Sequence, residues 1–339
     1  MKEVFGKTEE GRTIWLWTIE NENLIMKVTN FGAALVSFID RKTGIDVVKG
    51  YKTGEEYVKA NAYLGASVGR TANRIKNGRF TLDGKTYQLP INNGPNCNHG
   101  GLKGFSYVLW DTEVSASAVI FTRRFEDGEE GFPGAMNASI TYALDGNGIT
   151  ITAEAESDAR TLFAYTNHAY FNADNSTSVL NQQLCVRSDV YSPQDDTNVT
   201  LCENVPVEGT PFDFRTPHLI GERIDEADPQ LLVARGYDHW YPIGGSGMRE
   251  MAVLSGSKLE LIVSSDMPGI HVYTSNWFTD ETGKYGETLV PRSAVALEAS
   301  FRPNAVNYPE ETKKPIIEPD ENYAYHIRFR LRPRERSQG

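Results

Sequence analysis

The segment YAYHIRFRLR, residues 323–332, alternates apolar and polar side chains from Tyr325 to its end. A period of two residues places successive side chains on opposite faces of a β-strand. The side chains that we expect to face the core are Tyr323, Tyr325, Ile327, Phe329 and Leu331. His326 has the other parity, together with three arginines, and is expected to lie at the surface. The segment therefore predicts a half-buried strand.

Short apolar runs of the same kind fill much of the chain. The clearest are residues 13–20, 24–30, 34–40, 150–156 and 258–264. Turns such as Asp83-Gly84 and the four residues DGNG at 145–148 separate such runs, and turns of this type join antiparallel hairpins rather than crossover helices. Only two short helices are predicted, near residues 53–60 and 217–226. The sequence therefore predicts an all-β protein, a large antiparallel β-sandwich.

The length and composition narrow the range of partners. The chain has 339 residues and a formal net charge of −11, which argues against nucleic-acid or anionic-membrane partners. Its three cysteines cannot all pair and have no metal-binding spacing, and the charged N-terminus is unlike a signal peptide. With no linker, repeat or shift in composition, one domain over residues 1–339 is expected. We predict a cytoplasmic protein with no metal or other cofactor, and the composition leaves a small neutral ligand open as its partner.

The motif TNHAYFN, residues 166–172, holds the first candidate for catalysis. His168 has an imidazole that titrates near neutral pH, and we expect Asn167, Tyr170 and Asn172 to place amide and phenol groups around it. A histidine in such a segment is more often a hydrogen-bonded structural residue, so the motif alone leaves both interpretations open.

Three further polar clusters interrupt the predicted strands. GRTANRI at 69–75 is too polar for a core, and NHGG at 98–101 puts His99 on a turn that glycine permits. GYDHW at 236–240 combines Asp238 with aromatic rings, a mixture suited to a sugar. Each cluster also fits an ordinary solvated loop, turn or strand end, with His239 facing solvent.

Glu298 is the one carboxylate in the apolar segment SAVALEAS, residues 293–300. A lone carboxylate in such a strand is either an isolated surface position or a group held in a partly dry site. Partial burial would raise its pKa and would suit it to act as a base. The segment is therefore the second candidate for catalysis.

Six motifs, in this order, resemble the aldose 1-epimerase (galactose mutarotase) family. They are GRTANRI, NCNHGG, TNHAYFN, GYDHWY, GIHVYTSNW and ALEAS, and the resemblance extends over almost the whole chain. It implies a single-domain antiparallel β-supersandwich with a sugar cleft on one sheet face. It also implies a monomeric or homodimeric isomerase, without metal or cofactor, that interconverts the anomers of aldohexoses such as galactose and glucose.

The resemblance also assigns individual positions. His168 matches the family's general acid, and Glu298 matches its general base. The positions that match sugar-contacting residues are Asn73, Arg74, His99, Tyr170, Asp238 and His271. Among these, His271 stands where relatives often carry glutamine, although it could still donate a hydrogen bond. Further departures from the family pattern are Asn98, Ala173, Ser300 and Asn304. None of them removes a catalytic group, so they bear on substrate preference rather than on the reaction.

Interconversion of anomers needs only one base and one acid. The base takes the proton of the C1 hydroxyl while the acid protonates the ring oxygen, so that the ring opens to the aldehyde. After rotation about C1–C2 the ring closes on the other face, and the protons return. Glu298 and His168 fit these roles, with His99 holding the ring oxygen and Asp238 and Arg74 gripping hydroxyls.

Three alternatives remain open at this point. A sugar-phosphate 1-epimerase, for glucose 6-phosphate for example, would need more cationic groups at the cleft than Arg74. A glycosidase would use two carboxylates, and Glu298 with Asp238 could form that pair. A non-catalytic carbohydrate-binding protein on the same fold would need no base in an apolar strand.

Overall fold

Strands dominate the fold in a computed structural model, which describes residues 1–334. Within these residues, three sheets of nine, five and four strands make up most of the structure. Neighbouring strands in all three sheets run antiparallel. The prediction of an all-β antiparallel architecture is confirmed.

The nine-stranded sheet contains the segment with the clearest alternation. Its strands, in spatial order, are Asp111–Val114, Ala118–Phe125, Met136–Asp145, Gly148–Ser157, Tyr323–Pro333, Leu259–Ser265, Arg249–Ser255, Gln183–Val186 and His218–Leu219. Tyr323–Pro333 is the central strand, with Ile327 and Phe329 fully buried. His326 has a side chain that is 39% exposed, so the predicted parity is confirmed.

The other sheets complete the framework. The four-stranded sheet contains Lys2–Lys7, Thr13–Glu20, Leu24–Thr29 and Ala34–Asp40. The two-stranded pairs are Arg74–Ile75 with Cys97–Asn98, Ser67–Val68 with Thr166–Asn167, Arg79–Leu82 with Lys85–Gln88, Thr161–Leu162 with Ile316–Ile317, Val190–Tyr191 with Val205–Pro206, and Glu281–Thr282 with Thr288–Leu289. One large apolar core joins side chains from the nine-, five- and four-stranded sheets.

The five-stranded sheet positions the candidate site. Its strands, in spatial order, are Asp238–Pro242, Gly269–Tyr273, Val295–Ser300, Tyr170–Phe171 and Val48–Lys49. Val272 and Leu297 belong to the apolar core, so this face of the sheet is fully buried. Because strand side chains alternate, His271 and Glu298 point from the opposite face. That second face is where polar groups collect.

Two short α-helices occur among residues 1–334. The first, Gly54–Lys59, begins with a capping box between Thr53 and Glu56 and agrees with the prediction for residues 53–60. The second is Pro229–Ala234, where Asp228 accepts hydrogen bonds from the first backbone N–H groups. Neither has the length and apolar character needed to cross a membrane.

The helix predicted at residues 217–226 is wrong. His218–Leu219 instead pairs with the edge strand Gln183–Val186, and a short 3-10 turn, Ile220–Glu222, follows. Sheet pairing outweighs local propensity in this segment. The remaining 3-10 turns of the described chain are Lys76–Gly78, Phe105–Tyr107, Glu129–Gly131 and Ala305–Asn307.

Candidate active site

A cavity of about 520 Å³ opens on the polar face of the five-stranded sheet. Of the eight residues that the sequence predicts for the site, seven line it. They are Asn73, Arg74, His99, His168, Tyr170, Asp238 and Glu298. The eighth, His271, lies behind Asp238, with its Nε2 2.7 Å from Oδ1 of that carboxylate. The fold thus brings all the predicted residues together from distant points of the chain.

Glu298 projects into the cavity from the middle of the strand Val295–Ser300. Its flanking residues Leu297 and Ala299 pack into the core, so the alternation of the strand turns the carboxylate to the cavity. Glu298 is 3% exposed. Burial raises its pKa well above the usual value, and the nearby charge of Asp238 adds to that rise. Of the two interpretations left open for this lone carboxylate, the structure therefore supports the dry site.

His168 is held opposite Glu298 by its own backbone. Its N–H donates to the carbonyl of Ala66 at 2.9 Å, and its carbonyl accepts from the N–H of Gly65 at 3.0 Å. The ring is buried, and Nε2 lies 3.6 Å from Oε1 of Glu298. Burial lowers the pKa of His168 to about 4. The imidazole and the carboxylate are close enough to act on one bound molecule.

These opposite pKa shifts fix how many protons the pair carries. Between the low pKa of His168 and the high pKa of Glu298, the two groups share one proton. Because burial disfavours both charges, it favours the form in which Glu298 holds that proton. The form with ionised Glu298 and protonated His168 is a minor state of the same charge. Reaction by the predicted roles draws on that minor state.

His99 presents a neutral hydrogen-bond donor. Its Nδ1 accepts a hydrogen bond from the N–H of Asn73 at 3.2 Å, so Nε2 carries the ring proton. Burial, with the neighbouring His168, holds the pKa of His99 well below the usual value. The residue has φ +51° and precedes Gly100, as the prediction of a glycine-permitted turn requires. His99 can therefore donate to an oxygen without carrying charge.

GRTANRI is a buried segment, so the alternative interpretation as a solvated loop is wrong. Arg70 donates to the carbonyls of Pro133 and Gly134 at 3.0 and 2.8 Å, and these hydrogen bonds satisfy a guanidinium that is 3% exposed. Arg74 lines the cavity, and its Nε donates to Oδ1 of Asn93 at 2.9 Å. Polar residues remain inside when the tertiary structure supplies acceptors.

Asp238 is the second buried carboxylate of the cavity. Burial alone would raise its pKa, but the hydrogen bond and charge of His271, with the charge of Arg74, bring the pKa below the usual value. His239, beside it, is fully buried and its Nε2 lies 3.2 Å from Oε1 of Gln230. The alternative in which His239 faces solvent is therefore wrong.

The two asparagines of TNHAYFN support the backbone rather than His168. Asn167 donates to the carbonyl of Gly65 at 3.0 Å, and Asn172 donates to the carbonyl of Ser293 at 2.8 Å. Tyr170 does pack beside His168, with ring centroids 4.9 Å apart. The expected surroundings of His168 are thus confirmed for the phenol and wrong for the amides.

Aromatic rings that sequence reasoning did not assign to the site complete its wall. They are Tyr63, Tyr273, Trp277 and Phe278. Tyr273 and Trp277 belong to the motif GIHVYTSNW, so alternation from His271 could have identified Tyr273 as a residue of the same face. Trp277 is 44% exposed, and the Cζ atom of Arg235 lies 4.2 Å from the centroid of its ring. These rings offer apolar surface to a flat or chair-shaped ligand.

Acidic side chains outnumber basic ones on the wall. The acidic side chains there are Asp196, Asp238, Glu281 and Glu298. Among the wall residues of the described chain, Arg74 is the one arginine or lysine. The cavity therefore suits a neutral polyhydroxy compound better than a phosphate ester. Within residues 1–334, no three His, Cys, Asp or Glu side chains are grouped to hold a metal ion.

Comparisons with known proteins identify relatives along almost the full length. The family model for aldose 1-epimerase matches residues 16–330. A galactose mutarotase from Sus scrofa is 36% identical over 97% of each chain. An aldose 1-epimerase from Escherichia coli (strain K12) is 33% identical, over 93% of this chain and 94% of the relative. These matches confirm the resemblance that the six motifs indicate.

Solved structures agree with the observed fold. A galactose 1-epimerase from Lactobacillus acidophilus NCFM superimposes with a TM-score of 0.88 at 27% identity, over 99% of each chain. An aldose epimerase homologue from C. elegans gives a TM-score of 0.87 at 29% identity, over 94% of this chain and 99% of the relative. The antiparallel sandwich around the cavity is therefore the architecture of these proteins.

Proposed function

The chain belongs to the aldose 1-epimerase family and is an isomerase of that family, and we propose that Glu298 and His168 interconvert the α and β anomers of an aldohexose in the cavity. Galactose and glucose are the proposed substrates. The observation that carries the assignment is the buried pair itself, with His168 Nε2 3.6 Å from Glu298 Oε1 on the cavity wall. We also propose that the chain works as one domain over residues 1–339, in the cytoplasm, as a monomer or homodimer.

The reaction begins when the proton of the pair lies on His168 and Glu298 is ionised. Glu298 takes the proton from the C1 hydroxyl, and His168 gives its proton to the ring oxygen. The bond between C1 and the ring oxygen breaks, which leaves the open-chain aldehyde. Rotation about C1–C2 and reclosure on the other face return both protons. The protein ends in the protonation state in which it began.

The remaining wall residues orient the sugar. Neutral His99 can donate Nε2–H to the ring oxygen without adding a positive charge beside His168. Asp238 accepts from a hydroxyl, Arg74 and Asn73 donate to others, and Tyr170 lies against an apolar edge of the ring. Charged hydrogen bonds of this kind are worth about 1.5–3 kcal/mol each. Fixed donors and acceptors hold C1 between the base and the acid.

The alternatives gain less support from the cavity. A phosphate group would face the excess of acidic side chains described above, with Arg74 as the one basic wall residue of residues 1–334. A glycosidase would use Glu298 and Asp238, but Asp238 already accepts from His271 at 2.7 Å, and His168 would have no role. A binding protein would have no need to bury the base and the acid together.

Polarimetry tests the proposal with freshly dissolved α-D-galactose and α-D-glucose. The protein should accelerate the approach to the anomeric equilibrium above the buffer rate. Glucose 6-phosphate and p-nitrophenyl galactoside serve as comparison substrates, and we expect neither to be turned over comparably. No acceleration with either hexose would refute the proposed function. Release of p-nitrophenol would favour the glycosidase.

A further inference from the structure

A second imidazole–carboxylate contact lies beside the reacting pair. His271 Nε2 is 2.7 Å from Asp238 Oδ1, whereas His168 Nε2 is 3.6 Å from Glu298 Oε1. The side chains of His271 and Asp238 are 2% and 7% exposed. At 2.7 Å, a buried carboxylate accepts a charge-assisted hydrogen bond from the imidazole N–H. The contact is therefore a buried hydrogen bond between His271 and a carboxylate of the cavity wall.

The sheet register sets the neighbours of His271. His271 lies directly opposite Trp240 on one neighbouring strand and opposite Glu298 on the other. It is flanked on both sides and does not line the cavity. Its Nδ1 is buried and has no hydrogen-bond partner within residues 1–334. The hydrogen bond to Asp238 is thus the route by which this ring can influence a bound sugar.

We propose that His271 is a positioning residue that donates Nε2–H to Oδ1 of Asp238 and thereby leaves the other carboxylate oxygen free to accept from a sugar hydroxyl. This inference rests on the proposed function, because the sugar is the ligand that the cavity is proposed to hold. It replaces the direct sugar contact predicted for His271 from the sequence with an action through Asp238.

The charges around Asp238 support a role of His271 in holding Asp238 while Asp238 accepts from the sugar. Asp238 is buried, and without a donor it would favour the protonated form, which accepts hydrogen bonds poorly. His271 offsets that cost and lowers the pKa of Asp238, with Arg74 acting from the cavity wall. The other ionisable groups near the contact are Glu298, Tyr170, Tyr273, His168, His99 and His239. A donor fixed at His271 therefore keeps Asp238 ionised and in one orientation.

A double-mutant cycle tests the assignment. Asp238→Ala, His271→Leu and the double variant are compared by KM and kcat for α-D-galactose, and by calorimetric affinity for the sugar. His271→Leu should raise KM about tenfold with a smaller effect on kcat, as the weakening of one charged hydrogen bond predicts. The double variant should match Asp238→Ala, because no carboxylate remains to be held. Additive effects, or an unchanged KM in His271→Leu, would overturn the proposal.

Two further variants separate positioning from folding. His271→Gln retains an N–H donor of similar reach and should recover most of the affinity that His271→Leu loses. His326→Leu is the matched control, since His326 Nδ1 lies 2.6 Å from Asp266 Oδ2, and His326 belongs to the nine-stranded sheet and does not line the cavity. It should leave KM unchanged. A loss in His271→Gln as large as in His271→Leu would contradict the role of the donor.

A spectroscopic measurement tests, without replacing His271, whether its Nε2–H donates to Asp238. NMR of the ring nitrogens should show a protonated, hydrogen-bonded Nε2 whose signal shifts strongly in Asp238→Ala. An unprotonated Nε2, or no shift, would refute the contact. A protein that fails to accelerate anomerisation would refute the proposed function instead, and the NMR result would still decide whether His271 holds Asp238.

Discussion

Replacing Glu298 with glutamine should lower kcat and, at neutral pH, raise the stability of the folded protein. The substitution keeps the shape of a side chain that is 3% exposed but removes its ability to take a proton. A positioned general base contributes typically about 10²–10⁴-fold in rate, and kcat should fall within that range. KM should change little, because the base acts mainly in the transition state.

The same variant should unfold less readily at neutral pH. Burial raises the folded-state pKa of Glu298, so the folded protein binds this proton more tightly than the unfolded chain does. Above the ordinary glutamate pKa of about 4.3, ionisation of Glu298 therefore lowers the free energy of unfolding. Once the pH exceeds the folded-state pKa, the loss is about 1.4 kcal/mol for each unit by which that pKa is raised. Glutamine avoids this cost. The gain should disappear below about pH 4.

Polarimetric kcat and urea unfolding at several pH values measure the two effects. Glu260→Gln is the matched control: Glu260 also lies within a strand, but it pairs with Arg332 and does not line the cavity. Glu260→Gln should leave kcat unchanged and should not show the gain in stability at neutral pH that is expected for Glu298→Gln. A folded Glu298→Gln protein with near-native kcat would refute the assignment and make Asp238 the next candidate for the base.

Other perturbations test the remaining groups. His168→Asn should lower kcat with little change in KM, and Arg74→Ala should raise KM by about ten- to a hundred-fold while kcat falls less; the reverse pattern in either variant would contradict its role. The pH profile of kcat/KM should be bell-shaped, because the pair must hold one proton to react. Its acid limb should lie near the His168 pKa of about 4, and its alkaline limb at the raised pKa of Glu298. A profile without an alkaline fall would refute the shared proton. EDTA should leave activity unchanged, and activity lost to EDTA and restored by zinc would contradict the metal-free mechanism.

Alternation made the sheet architecture predictable, because it reports burial directly. The pattern at residues 323–332 gives the central strand Tyr323–Pro333, and the run at 13–20 is found as the strand Thr13–Glu20. The second helix was misplaced, although Asp228 and Pro229 form a recognisable start signal just beyond the predicted segment. The edge pairing of His218–Leu219 depends on a distant strand, and no local pattern encodes that partner.

The limits of prediction at the site have a similar cause. Glu298 could be recognised because a carboxylate in an apolar strand is unusual. The burial of Arg70 could not, since its acceptors are carbonyls of Pro133 and Gly134, more than sixty residues away. The place of His271 behind Asp238 depends on the register of two strands. Chemistry that is carried by one residue is visible in the sequence, whereas positions set by tertiary contacts are not.

The most direct test of ring opening follows the oxygen at C1. α-D-galactose labelled with ¹⁸O at O1 is incubated with the protein, and ¹³C NMR records both the anomeric ratio and the isotope-shifted C1 signal. If Glu298 and His168 break the bond between C1 and the ring oxygen, the anomers should equilibrate rapidly while the label is lost no faster than in buffer. Loss of ¹⁸O at the rate of anomerisation would mean that the C1–O1 bond breaks, and would contradict the proposed mechanism.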